Sequence, residues 1–341
     1  MRRTAVVIDR EYLKHDPGPG HPERPERIQS LLELARELDR SRYEIAAPRV
    51  ALREEIERCH PKEYVDLIAA TSKANRYALD GDTVTSRDSF GVGLLAVGGF
   101  LELIDGVAAG NFANGFALVR PPGHHALPAR AMGFCLFNTV AIGALHAIRR
   151  HGAKRVLIAD WDVHHGNGTQ DIFYGDPSVL YVSTHQYPFY PGTGAATEVG
   201  QGMGAGFTVN VPLPAGSADA EYVRAFQEIV IPIADKFAPD WVLVSAGFDP
   251  HRRDPLAGMA MTEDGFATLA SLLLEVAAKH AGGRIALVLE GGYDLLALRN
   301  SAVAVLEALA SERKGDISPA VAGEPVQRVI HRVRAIQERY W

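Results

Sequence analysis

Cysteine is almost missing from this chain: Cys59 and Cys135 are the only two among 341 residues. That excludes a disulfide framework and a metal site built from several thiolates. A basic excess is missing too. The net charge is -6, so nothing favours general attraction to nucleic acid or to an anionic membrane. No apolar run is expected to reach membrane-spanning length. The opening stretch, MRRTAVVIDREYLKHD, carries two arginines but turns acidic before an apolar core of signal-peptide length can form, so a cytoplasmic protein is expected. Repeats, linkers and low-complexity tracts are also lacking, which predicts one domain over residues 1–341, with a helical tail from about residue 311.

What the chain does have is apolar residues, 47% of the total, enough to cover both faces of a sheet. Short apolar runs at 4–8, 116–119, 156–159, 179–183, 207–211, 241–246 and 285–289 predict seven strands. Between them lie helical stripes at 26–38, 60–70, 91–110, 139–150, 220–237 and 262–279, with 295–309 and 326–339 following. In the 60–70 stripe, Tyr64, Leu67 and Ile68 share one side, and Thr262 reads as a helix cap. The alternation points to an α/β fold with a parallel sheet. Residues 80–89, DGDTVTSRDS, read as a polar surface loop.

The chemistry starts at 155–169, RVLIADWDVHHGNGT. A buried strand ends there in Asp160, Asp162, His164 and His165, followed by glycines that permit a tight turn. In extended geometry Asp160, Asp162 and His164 share one face, at the strand end where open α/β sheets bind ligands. Burying two carboxylates beside an imidazole costs several kcal/mol unless something compensates. A divalent cation compensates, because carboxylate oxygen and imidazole nitrogen are ordinary zinc ligands. The other reading is a structural cluster in which each carboxylate caps backbone amides. Three more strands also end in polar or glycine-rich loops, at Gly123-His124-His125, Gly247-Phe248-Asp249 and Gly291-Gly292-Tyr293. A metal needing a third ligand finds Asp249. A water needing a base finds His124 or His125, and an oxyanion needing a donor finds Tyr293.

RPPGHHA at 120–126, GFCLFN at 133–138, DWDVHHGNGTQ at 160–170, SAGFD at 245–249 and LEGGY at 289–293 resemble, in order, the motifs of the zinc-dependent histone deacetylase family. That family includes bacterial deacetylase-like amidohydrolases and acetylpolyamine amidohydrolases. GHPERPERI at 20–28 and VSAGFDPHRRDPLAG around Asp249 are closer to its class II branch. The resemblance implies an arginase/deacetylase fold, with a parallel sheet of about eight strands between helix layers. It implies one zinc held by Asp162, His164 and Asp249, with iron(II) an alternative occupant. It implies His125 as general base and acid, with His124 electrostatic. Asp160 would orient His124, and Asn167 would orient His125. Class I members carry Asp where Asn167 stands, so His125 is expected to be less basic here. Phe134 and Tyr190 match the aromatics of the acyl-lysine tunnel, with Gly133 and Gly292 beside the substrate and His21 and Pro22 near the mouth. Leu256 replaces the acidic gatekeeper of the polyamine-preferring relatives, which favours acylated lysine or a small acylamide. Structural K+ or Na+ ions are implied beside Asp160, Asp162, His164, Ser183 and Phe173.

Three rival readings differ in kind. An acetylpolyamine deacetylase would share every motif but the rim. A ureohydrolase of the arginase type would hold two manganese ions through an Asp-x-His-x-Asp run, but Gly166 stands where the last ligand would be. A non-catalytic acyl-lysine-binding protein would not need the full set of His124, His125, Asp162, His164, Asp249 and Tyr293. A homo-oligomer is also open to this chain, through the 187–206 loop or the tail.

Overall fold

The computed structural model describes residues 3–311, 315 and 321–341. Eight parallel strands form the central sheet: β1 (Thr4–Val7), β2 (Tyr43–Ala46), β5 (Asn114–Ala117), β6 (Val156–Asp160), β7 (Val179–Gln186), β8 (Thr208–Leu213), β9 (Trp241–Ala246) and β10 (Ile285–Leu289). Two further strands, β3 (Arg76–Ala78) and β4 (Val84–Ser86), form a separate antiparallel hairpin. The sheet order is β2-β1-β5-β10-β9-β6-β7-β8. Its inner strands are buried on both faces, as unbroken apolar runs require. Asp160 pairs in register with Ser183 on one side and Ser245 on the other.

The extra strand over the seven expected is β2, sequence YEIA. As an edge strand it buries only Tyr43, so it has no apolar run to read. Residues 80–89 are not a surface loop. They contain β4, and Thr83, Thr85 and Ser86 are buried. Their polarity is satisfied internally: Ser86 N donates to Ser89 Oγ, and Thr85 Oγ1 donates to Tyr77 O.

Helix Ser89–Ala108 corrects the expectation about apolar runs, being long and apolar enough to cross a membrane. Here two thirds of it is buried inside the protein. Gly98 is needed for close packing: a Cβ there would stand 2.0 Å from Arg49 O. The 220–237 stripe is an α-helix only at its ends, with a π segment at Phe226–Val230. Pro232, which lacks an N–H and crowds the carbonyl four residues back, accounts for that bulge. Leu67 is 47% exposed and does not join Tyr64 and Ile68 in the core. Thr262 precedes its helix, but its hydroxyl donates to Asp219 instead of capping. The tail helix is Glu324–Gln337, and the calls at 312–314 and 316–320 lie outside the described residues.

A fully buried ion network ties the amino-terminal loop to the sheet. Arg120 grips Glu23 with two bonds, Nε to Oε1 at 2.7 Å and Nη2 to Oε2 at 2.8 Å. Arg27 Nη1 adds a third at 3.1 Å. Burial would raise the Glu23 carboxyl, but the Arg120 charge and hydrogen bonds from His15 and Arg120 hold it well below the usual range. The folded value therefore lies below the unfolded one. Its stabilisation is complete above the unfolded value and drains away as pH falls toward the folded one. Arg120→Ala, which removes two of the charge-assisted bonds of a buried carboxylate and leaves it Arg27 and His15, is expected to cost about 3–5 kcal/mol. Chemical denaturation at neutral pH measures this, and a loss under about 1 kcal/mol would contradict the account.

Candidate active site

The four strands whose endings carry chemistry, β5, β10, β9 and β6, are consecutive in the sheet, and their carboxyl ends lie together. His164 Nδ1 lies 3.2 Å from Asp162 Oδ1 and 3.2 Å from Asp249 Oδ2. Each carboxylate is held by a backbone amide on its other oxygen. Gly291 N donates to Asp162 Oδ2 at 2.8 Å, and Val163 N donates to Asp249 Oδ1 at 2.8 Å. Glycine is required for that approach: a Cβ on Gly247 would stand 2.0 Å from Asp162 Oδ2, and one on Gly291 2.1 Å from Asp249 Oδ2.

The donor set fits a divalent ion. Candidate ligand atoms of Asp162, His164 and Asp249 lie within 4.8 Å of one another, and all three residues are buried. Among the described residues, His164 Nδ1 at 3.2 Å is the contact of the buried Asp249 Oδ2, which otherwise lacks a hydrogen-bond partner. Burial and the neighbouring Asp162 charge push the Asp249 carboxyl up to about 7. Burial opposes a charge on His164, but its bonds to Asp162 and Asp249 carry the imidazole up to about 10. Two carboxylates sharing one proton on a ring nitrogen form a site short of positive charge.

Asp160 does not share a face with Asp162 and His164, because the chain beyond it bends instead of staying extended. Its Oδ2 meets His124 Nδ1 at 3.0 Å and accepts from Tyr181 OH at 3.0 Å. Asn167 Oδ1 lies 2.8 Å from His125 Nδ1, while its amide nitrogen donates to Met132 Sδ. The two imidazoles are thus held differently. Burial would lower His124, but the charges of Asp162, Asp160 and Glu290 bring it up to about 10. Burial, joined by the neighbouring His124 and His164, keeps His125 well below its usual value. Gly166 and Gly168 have ordinary backbone angles. They serve by being small: a Cβ on Gly166 would strike Asp160 Oδ2 at 2.3 Å.

A cavity of about 200 Å³ leads down to these groups, lined by Asp82, His125, Gly133, Phe134, His164, Phe189, Tyr190, Leu256 and Tyr293. The Phe134 and Tyr293 rings meet edge-on at 5.8 Å, and Tyr190 stands edge-on to His125 at 5.3 Å. Tyr190 is 37% exposed, which puts it at the rim. His21 backs the wall, its ring 4.7 Å from Phe134 and its Nε2 3.0 Å from Asp82 O. Pro22 and Gly292 are not among the lining residues. At Gly292, φ is +118°, and the carbonyl accepts from Arg27 Nε at 2.7 Å. Ser183 Oγ lies 2.9 Å from His185 Nδ1, and Phe173 is buried at the end of helix Asn167–Phe173.

Four groups received no role from the sequence, although Glu290 and Arg27 lie within the motifs at 289–293 and 20–28. Asp82, on the hairpin, is an acidic residue of the cavity lining. Phe189 stacks on His164 at 5.5 Å and 17°. Glu290, fully buried, accepts from the Gly123 and His124 amides at 2.6 and 3.1 Å and from Ser245 Oγ at 2.8 Å. Arg27 bonds Gly292 O and Glu290 O, with its guanidinium 5.0 Å over the Tyr293 ring. The available signals were a charge directly after an apolar strand, at Glu290, and the place of Arg27 in the 20–28 motif.

A model of the histone deacetylase domain matches residues 21–309. A probable deacetylase of Archaeoglobus fulgidus is 41% identical over 86% of this chain and 82% of its own length. Histone deacetylase 15 of Arabidopsis thaliana is 42% identical over 99% of this chain, which spans 62% of that protein. Histone deacetylase 10, chloroplastic, of Oryza sativa subsp. japonica is 42% identical over 86% of this chain and 70% of its own. A crystal structure of the HDA15 HD domain matches with a TM-score of 0.93 at 40% identity, covering 100% of this chain and 96% of that one.

Proposed function

The chain belongs to the histone deacetylase family and is a hydrolytic deacetylase, and we propose that it uses one zinc ion to remove acetyl or other acyl groups from lysine side chains or small acylated amines. The observation that carries the reading is the convergence of His164 Nδ1 with Asp162 Oδ1 and Asp249 Oδ2 beneath a narrow, aromatic-walled cavity.

Asp162, His164 and Asp249 would hold the metal, leaving positions open. Bound there, zinc supplies Lewis acidity that polarises a carbonyl and makes water a nucleophile near neutral pH. His125 takes the water proton. Its Nδ1 carries the hydrogen toward the Asn167 amide oxygen, so the lone pair sits on the other ring nitrogen. His124, facing Asp160, keeps its charge and stabilises the negative charge that develops. The proton held by His125 then passes to the departing amine. Tyr293 donates its hydroxyl hydrogen to the carbonyl oxygen as it becomes an oxyanion. Phe134 and Tyr190 flank the methylene chain and exclude water from it. Ser183, Phe173, Asp160, Asp162 and His164 are proposed to surround K+ or Na+. Direct nucleic-acid or membrane binding has no part in this reading, which is of a cytoplasmic enzyme that can assemble with a second copy of itself.

Leu256 at the wall gives a polycation no partner, which supports acyl-lysine. Asp82 favours the second reading, an acetylated polyamine, because an acidic residue lines the same cavity. A panel of acetyl-lysine peptides, longer acyl-lysines and acetylpolyamines, run on zinc-loaded enzyme, separates the two. Higher kcat/KM on acetyl-lysine is expected, and a tenfold or greater preference for acetylpolyamine would transfer the assignment.

A further inference from the structure

A second set of metal-ligand side chains lies at the opposite edge of the sheet. Asp105 stands in the last turn of helix Ser89–Ala108, while His146 and His151 stand on helix Thr139–His151. His146 Nε2 and His151 Nε2 each lie 2.7 Å from the same oxygen, Asp105 Oδ1. The three candidate ligand atoms are within 4.8 Å of one another. The His151 ring packs 6.3 Å from Trp241, the first residue of β9, whereas the catalytic groups follow the last residues of the strands.

We propose that Asp105, His146 and His151 form a second divalent transition-metal site. Two imidazoles and one carboxylate oxygen are donors for zinc, nickel or copper, and they discriminate against magnesium and calcium, which prefer oxygen alone. The surrounding charges admit a cation. Arg49 lies 4.0 Å from Asp105 Oδ2 but is engaged by Glu55 at 2.7 Å, with Glu102 at 3.8 Å. Arg58 approaches His146 Nδ1 at 3.4 Å. Against these two guanidiniums stand three carboxylates: Asp105, Glu55 and Glu102. In this structure Arg58 donates to His146 Nδ1, so a metal on Nε2, which leaves the ring proton on Nδ1, requires that contact to give way; Glu55 Oε1 lies 3.8 Å from the same nitrogen. His151 and Asp105 side chains are 21% and 32% exposed, so an ion can reach them from solvent. The ion would clip the ends of the two helices together.

The test is zinc content per chain after equilibration with zinc and removal of the excess, together with thermal melts with and without zinc. Wild type is expected to hold two zinc ions, His151→Gln and His164→Ala one each, and the double variant none. Zinc should raise the Tm of His164→Ala but not that of the double variant, and magnesium should raise neither. Equal zinc content in wild type and His151→Gln would overturn the proposal, as would a Tm response of His164→Ala that survives the second substitution. The comparison of wild type with His151→Gln stands even if His164→Ala does not fold. It also stands apart from the catalytic zinc, because the difference of one ion is read whether or not the Asp162 site fills.

Discussion

His164→Ala is expected to lose stoichiometric zinc at the catalytic centre and, with it, measurable turnover. His164 Nδ1 meets both Asp162 Oδ1 and Asp249 Oδ2 at 3.2 Å. Without it, two buried carboxylates face each other with nothing to share. Burial and the Asp162 charge already push Asp249 up to about 7, and the lost imidazole leaves protonation of that acid as the cheapest remedy. A protonated carboxyl is a poor ligand. Metal analysis and deacetylation, assayed together with a circular dichroism check of folding, read the outcome. A folded variant that keeps the catalytic zinc would refute the ligand assignment.

Tyr293→Phe should leave KM nearly unchanged and lower kcat by roughly a hundredfold or more, the usual effect of removing one oxyanion donor. The ring is 7% exposed and its main-chain amide is anchored on Asp254 Oδ2 at 2.6 Å. Burial holds the hydroxyl well above its ordinary value despite the opposing Arg27 charge, so it stays a donor at working pH. Phenylalanine keeps the edge-on contact with Phe134 and the face beneath Arg27, and only the hydrogen bond is removed. Steady-state kinetics on an acetyl-lysine peptide measures the change, and unchanged kcat would take Tyr293 out of the reaction.

Some of this was legible in the order of residues. Each unbroken apolar run became a buried parallel strand, because a strand covered on both faces has no polar side to alternate with. β2 was not legible, because an edge strand buries one side chain and leaves no run. Residues 80–89 misled for a related reason. Polarity predicts exposure only when the polar groups find water, and Thr83, Thr85 and Ser86 lie inside. Helix Ser89–Ala108 was legible as a helix over 91–110; what the sequence reading missed is that it is long and apolar enough to cross a membrane, although it is a mostly buried core helix here.

The amino-acid order by itself determined the inventory: which strand endings carry acids, imidazoles and the tyrosine, and that all of them come to one edge of a parallel sheet. Only the tertiary structure decided that β5, β10, β9 and β6 stand side by side. It also turned Asp160 toward His124 and Asp162 toward His164. Glu290, Arg27 and Asp82 acquired their positions there as well. The reason is distance along the chain: Gly291 N meets Asp162 Oδ2 across 129 residues, and Arg27 meets Gly292 O across 265. Local spacing fixes which face of one strand a side chain takes. It carries no information about which distant strand becomes its neighbour.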